Sequence, residues 1–247
     1  MLRFFGGCDK SKAKGRGAAE AASGSRTCIC GMVCRRPSHW AIPAPPLSYV
    51  GGLGCAPVAE VLLFHHAQGL TPGVLSFADR LRAAGHVVHA PDLYEGNTFT
   101  DLNDGVGYAR EAGFDTILER GRLAAEGLPN GLIYAGFSLG VMPAQMLAQT
   151  RPGTKGALLF SAALPPEEFG GPWPEGVPLQ IHMMEDDEWV DEDLPAARQI
   201  VEMVETAELF LYPGDRHLFA DESLPDYDED AAALLMERTV SLLDSIE

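Results

Sequence analysis

The sequence predicts an α/β protein in which a mostly parallel sheet carries helices on both faces, and three observations support this. Short apolar runs alternate with amphipathic stretches from Val58 to the end of the chain. Helix start and stop residues separate the two patterns repeatedly. A Gly-x-Ser-x-Gly turn lies between an apolar run and a helical pattern. Strands joined through helices run parallel and are buried on both faces, which places ligands at the strands' carboxyl ends.

Val58–His65 reads as the first buried strand. Thr71-Pro72 then provides an N-cap and an N1 proline for a helix with Leu75, Phe77, Leu81 and Ala84 as its apolar face and Gly85 as its stop. His86–Ala90 is the next strand, closed by Pro91, and a polar loop covers Asp92–Asp104. Ile117, Leu118, Leu123 and Ala124 recur at helical spacing within Asp115–Glu126. Strands follow at Gly131–Phe137, Gly156–Ser161, Pro178–Met184 and Glu208–Tyr212. Helices are predicted over Leu139–Thr150, Leu194–Val204 and Glu229–Leu243.

Composition narrows the function classes. The 247 residues are 46% hydrophobic and 21% charged, enough apolar material for a core and too little charge for a wholly disordered chain. The formal net charge of −17 repels phosphate backbones and anionic lipid, so neither nucleic acid nor a membrane surface is an expected partner. No run approaches the roughly 18 apolar residues that a spanning helix needs.

Residues 1–57 differ from the rest. They hold eight basic and two acidic side chains, and all five cysteines, among Gly, Ser, Ala and Pro runs without an apolar period. This segment is expected to be a disordered extension, or one lying upstream of the natural start, ahead of a catalytic domain at 58–247 that should fold and act without it. A signal peptide is disfavoured because Leu2–Phe5 is followed by Gly, Cys and charges rather than a longer apolar core. Cys28, Cys30 and Cys34, with His39 and Cys55 nearby, lack the paired Cys-x2-Cys spacing of a strong zinc site, and unpaired thiols are the favoured reading. The cysteine-free remainder suits a reducing compartment, so the expected location is cytoplasmic.

Gly136-Phe-Ser138-Leu-Gly140 has the strand-turn-helix context of a nucleophile elbow. Small residues are needed at both glycine positions because the turn is strained and its flanks pack closely. Ser138 is the candidate nucleophile, and the Leu139 amide, at a helix start, is one candidate oxyanion donor. A serine requires a base, and the base an orienting carboxylate. His217 follows the strand ending at Tyr212, and Asp187 follows the strand ending at Met184, the chain order this architecture uses. Asp187 is favoured over Asp186 because Val190 can anchor the loop one turn later. His65-His66 ends the first strand, so the Ala67 amide is the second candidate donor, with His66 a candidate pocket residue and His65 a core or supporting one. His86, His89 and His182 read as packed, hydrogen-bonded side chains without a role. Phe169 and Trp173, in the loop Leu164–Val177, are candidates for an aromatic rim over the pocket. A rigid surface connection is the alternative for that loop.

Five segments in order resemble the dienelactone hydrolases, small lid-poor members of the α/β-hydrolase fold. They are His66-Ala-Gln-Gly69, Ala90-Pro-Asp-Leu-Tyr94, Gly136-Phe-Ser-Leu-Gly140, Asp187-x-x-Val190 and Gly214-Asp-Arg-His217. The resemblance spans Val58 to Leu243 and implies an α/β-hydrolase fold with minimal or no lid and a triad on Ser138, Asp187 and His217. Two departures from the family pattern matter, one at the nucleophile and one at the residues that handle the substrate. Founding members carry a cysteine nucleophile followed, after a spacer, by two glycines, where this chain has Ser138 and then Gly140-Val141. They also place a glutamate in the first oxyanion loop and an arginine after the Pro-Asp-Leu-Tyr segment for the substrate carboxylate, where this chain has His66 and Glu95-Gly96.

The expected activity is therefore hydrolysis of a small ester or lactone through an acyl-enzyme, with no cofactor and no metal. His66, Gln68 and Trp173 are the candidate substrate-binding residues. A thioesterase using the same residues, and a catalytically inactive binding module on the same scaffold, are the alternatives.

Overall fold

The apolar run after Val58 forms strand β1 (Glu60–Phe64), four of whose five residues are buried. The computed structural model describes residues 58–191 and 193–246. The predicted extension, with Cys28, Cys30, Cys34, His39 and Cys55, lies outside the described residues. Five further strands follow: β2 (Val87–His89), β3 (Ile133–Phe137), β4 (Gly156–Phe160), β5 (Leu179–Met184) and β6 (Ala207–Tyr212). They form one sheet in the order β2-β1-β3-β4-β5-β6, every neighbouring pair parallel. The chain steps outward from β1 to β2 and then returns across β1 to β3. That reversal opens a crevice at the carboxyl ends of β1 and β3, the place where open α/β sheets bind ligands.

Helices α1 (Pro72–Ala83) and α6 (Glu229–Ser245) share one face of the sheet, where Val74, Phe77 and Leu81 meet Leu235 and Met236 over Val61, Leu63 and Phe160. Thr71 caps α1 by accepting the Val74 N–H, and Pro72 takes N1, as the sequence predicts. The buried stripe of α1 is Val74, Phe77, Ala78 and Leu81, while Leu75 and Ala84, expected on that face, are exposed. Leu123 likewise points outward from α3 (Phe114–Ala124), whose buried positions are Ile117 and Gly121. On the opposite face α3 packs against α4 (Val141–Thr150), and a Cβ on Gly121 would lie 2.4 Å from the Pro143 ring. Helix α5 (Asp193–Met203) packs against β6. The β4–β5 connection holds a short 3-10 turn at Pro166–Phe169, and no lid subdomain is inserted among the described residues. None of their helices is long and apolar enough to cross a membrane.

One helix departs from the sequence reading. Leu102–Ala112 is α2, in a region expected to begin as loop, and Gly105 and Gly107 lie within it. Glycine costs about 1 kcal/mol in a helix interior relative to alanine, which hides the element from a periodicity reading. The structure supplies the reason for Gly105: a Cβ there would lie 2.0 Å from the carbonyl oxygen of Ala67. Helix α2 thus rests directly on the loop after β1. Gly105→Ala is expected to destabilise the protein by about 1–2 kcal/mol despite alanine's better helix propensity, because backbone must move to admit the methyl group. A lowered urea midpoint with unchanged slope would show it.

Candidate active site

Three strand ends supply the side chains that converge at the crevice. Ser138 follows β3 directly, at the start of a 3-10 turn (Ser138–Gly140) that leads into α4. Its φ of 47° is in the left-handed region that non-glycine residues rarely occupy. Both flanking glycines are sterically required. A Cβ on Gly136 would lie 2.1 Å from the Gly140 carbonyl oxygen, and one on Gly140 would lie 2.6 Å from the carbonyl oxygens of Phe64 and His65. The elbow is thus pressed against the end of β1. Phe137, just before Ser138, is fixed by edge-on contact with Phe77 (5.0 Å between centroids) and tilted contact with Phe160 (4.6 Å).

The loops after β5 and β6 are tied together beyond the last strand pair, Met184 and Tyr212. The Glu185 N–H donates to the Tyr212 carbonyl at 2.9 Å, and the Asp186 N–H to the Gly214 carbonyl at 3.0 Å. This extended ladder brings His217 and Asp187 face to face. His217 Nδ1 lies 2.7 Å from Asp187 Oδ2, and His217 Nε2 lies 2.7 Å from Ser138 Oγ. All three side chains are at least 95% buried. Asp187 Oδ1 accepts the Trp189 N–H at 2.9 Å, and the Val190 N–H donates to the Asp187 carbonyl at 3.1 Å, closing a turn on the buried Val190. Asp186 is exposed. An ionised carboxylate can only accept, so Asp187 holds the proton on Nδ1 and leaves the Nε2 lone pair facing the serine hydroxyl.

The backbones of Ala67 and Leu139 follow the ends of adjacent strands β1 and β3, so both candidate oxyanion donors belong to the same crevice. The three side chains expected to contact substrate are placed otherwise. His66 is fully buried; its Nδ1 accepts the Gln68 N–H at 3.2 Å and its Nε2 meets Asp221 Oδ2 at 2.8 Å, leaving no ring nitrogen for a ligand. The Gln68 amide donates to the Phe99 carbonyl at 3.1 Å and joins two loops. Trp173 lies toward the opposite end of the sheet. After β4 the chain runs back along α4, held by Gln149, whose amide donates to the Pro166 and Gly171 carbonyls. Trp173 then donates to the Val177 carbonyl just before β5, and lines a cavity with Met203 and Val204 just before β6. The aromatic ring that does flank the triad is Trp189, 5.8 Å from the His217 ring and 37% exposed.

Sequence reasoning also passed over Asp221, four residues after His217 and 3% exposed. Burial alone would raise its carboxyl, but hydrogen bonds from His66, Ser223 and Thr71 outweigh this and hold it below the usual carboxylate range. His65 is a supporting residue: its Nε2 accepts the Leu93 N–H at 2.9 Å and its Nδ1 donates to the His66 carbonyl at 2.7 Å. Burial lowers the His65 imidazole to about 4, and burial next to the charge of Arg238 lowers that of His182 to about 3.

The fold and this site define an α/β-hydrolase. The structure resembles a dienelactone hydrolase-like promiscuous phosphotriesterase from metagenomic libraries (TM-score 0.62, 20% identity, 78% of this chain and 89% of that one). It also resembles mouse alpha/beta hydrolase domain-containing protein 10 (0.55, 16%, 77% and 92%) and a cold-adapted esterase from an Arctic intertidal metagenomic library (0.52, 18%, 76% and 83%). Identities this low speak for the fold alone. No curated protein matches the chain. Residues 48–247 match the model of the dienelactone hydrolase family, and the chain belongs to that family of hydrolases.

The two buried histidines make a pH prediction. Their folded values lie below the unfolded value near 6.5, so the unfolded chain binds more protons between about 4 and 6.5 and stability is lost as pH falls through that window. His65→Gln can still accept the Leu93 N–H but cannot titrate. Urea midpoints measured from pH 7 to 4 should fall less steeply in this variant than in the native protein.

Proposed function

We propose that residues 58–247 hydrolyse a small, uncharged carboxylic ester or lactone through an acyl-enzyme on Ser138. The observation that carries this reading is the buried His217 ring, in hydrogen-bond reach of Ser138 Oγ on one side and Asp187 on the other. In the proposed reaction His217 Nε2 takes the hydroxyl proton as Oγ bonds to the carbonyl carbon. The carbonyl electrons move to oxygen, where the Leu139 and Ala67 amides stabilise them. Collapse of that intermediate breaks the carbon–oxygen bond of the ester, and the leaving alkoxide takes the proton from His217. In a lactone the alcohol stays tethered. Water then gives a proton to His217 and its hydroxide to the acyl carbon, and Ser138 leaves reprotonated. Asp187 remains ionised throughout and stabilises the imidazolium.

What surrounds the site disfavours a negatively charged substrate and supports an apolar one. Arg216, the basic residue next to His217, donates to the Tyr227 carbonyl at 2.7 Å and stands 3.6 Å from Asp228, so its charge is engaged there. Exposed Glu185, Asp186 and Glu188 flank Asp187. Trp189 offers an apolar surface at the same place.

Treatment with a serine-directed fluorophosphonate followed by intact-mass analysis tests the reading. One adduct is expected in the native chain and none in Ser138→Ala, with turnover of p-nitrophenyl acetate falling about 10³-fold or more in Ser138→Ala and in His217→Ala. A folded native protein without an adduct would favour the binding-module alternative, and turnover retained in Ser138→Ala would refute the assignment. The two tryptophans separate as well. Trp189→Ala should change KM across a series of p-nitrophenyl esters, and Trp173→Ala should leave it as in the native enzyme.

A further inference from the structure

The molecule contains a second buried carboxylate–histidine pair that the proposed reaction does not use. Four donors converge on Asp221. His66 Nε2–H reaches Oδ2 at 2.8 Å, and the Thr71 hydroxyl donates to the same oxygen. The Ser223 N–H and hydroxyl reach Oδ1 at 2.8 and 2.6 Å. A carboxylate surrounded in this way is ionised, since a proton on either oxygen would displace a donor. The His66 tautomer is fixed as well. Nδ1 accepts the Gln68 N–H, so the ring hydrogen must be on Nε2, pointing at Asp221. Thr71 in turn caps α1, and Ser223 Oγ accepts the N–H of Gly73 in the first turn of that helix at 3.1 Å. A Cβ on Gly73 would fall 1.7 Å from Asp221 Oδ1, so the helix start and the carboxylate interlock.

These contacts join two loops that the reaction needs in a fixed relation. His66, Gln68 and Thr71 bracket Ala67, a candidate oxyanion donor, while Asp221 belongs to the loop that carries His217. We propose that Asp221 and His66 are positioning residues, forming a strut that holds the Ala67 amide in register with His217 and Ser138. The strut is expected to matter most in the transition state, when charge develops on the oxyanion and a displaced donor costs the most. The ring nitrogens of His66 and the carboxylate oxygens of Asp221 are all engaged within the protein, so the two act through the Ala67 loop.

This inference rests on Ser138 being the nucleophile, so the experiment reads both. Adduct formation with the fluorophosphonate and kcat and KM on p-nitrophenyl acetate are measured for the native protein, Asp221→Asn, His66→Ala and His66→Gln. In Asp221→Asn the amide NH2 faces a donor, and the strut opens. Asp221→Asn and His66→Ala should each lower kcat about tenfold or more with KM nearly unchanged, while Ser138 still takes up one adduct. In His66→Gln the side-chain N–H can reach Asp221, and much of the lost kcat should return. Native kcat in folded Asp221→Asn or His66→Ala would overturn the strut. Loss of kcat in His66→Ala in step with loss of its adduct and of its folded fraction would also overturn it, as a merely structural effect. If Asp221→Asn does not fold, the comparison of His66→Ala with His66→Gln decides alone, and equal kcat in the two refutes the proposal. Absence of any adduct or turnover in the native protein would instead refute the assignment of Ser138 on which it depends.

Discussion

The close approach of two backbones, the end of β1 and the elbow after β3, is the constraint on which the rest of the site depends. Gly140 lies against the carbonyls of Phe64 and His65 with no room for a Cβ, and Gly136 lies against Gly140 itself. This crowding leaves Ser138 in a left-handed conformation that a non-glycine residue does not adopt freely. Such strain persists only where the surroundings over-determine it. Here they consist of β1 on one side and the Phe77–Phe137–Phe160 ring cluster on the other. Because β1 and β3 are neighbours at the point where strand order reverses, the same approach places the Ala67 loop beside Ser138. One packing event thus aims the hydroxyl and locates both candidate amides.

Sheet register does the corresponding work for the other two side chains. Met184 and Tyr212 end their strands side by side, and the Glu185 and Asp186 amides continue the ladder into the loops. Asp187 and His217 are therefore placed by hydrogen bonds that are extensions of the sheet, and side-chain packing only has to set the final rotamers. Val190 and Trp189 close the acid's turn from the far side. The division is economical in chain entropy, since residues already ordered by the sheet need little further fixing to align three functional groups.

The central strands were legible as continuous apolar runs buried on both faces, and most helices because each buries a stripe whose apolar period survives in the sequence. The Gly-x-Ser-x-Gly turn and the order Ser138, Asp187, His217 were legible because steric and chemical demands leave few residue types at those places. What the sequence concealed has three distinct physical sources. Helix α2 was hidden by Gly105, a residue that local propensity counts against a helix and that tertiary contact with Ala67 requires. Trp173 was misplaced because the direction of a connection is set by Gln149 in another element, and loop composition carries no record of it. Asp221 was overlooked because its partners, His66 and Thr71, are about 150 residues away in the chain and become neighbours only through the fold.

The two carboxylate–histidine pairs show why such pairs must be read by atom rather than by residue type. Asp187 meets the Nδ1 of His217, and the remaining nitrogen faces a serine hydroxyl that can give up its proton. Asp221 meets the Nε2 of His66, and the remaining nitrogen faces the Gln68 amide, which holds its proton at any pH the protein experiences. The first arrangement has the geometry that the proposed proton transfer requires, with the acceptor nitrogen facing a hydroxyl. The second offers no such hydroxyl, since both nitrogens of His66 are engaged within the protein, which is what the proposed positioning role requires. Chemically alike pairs thus differ in what they can do by which nitrogen the carboxylate takes and by what stands at the other one.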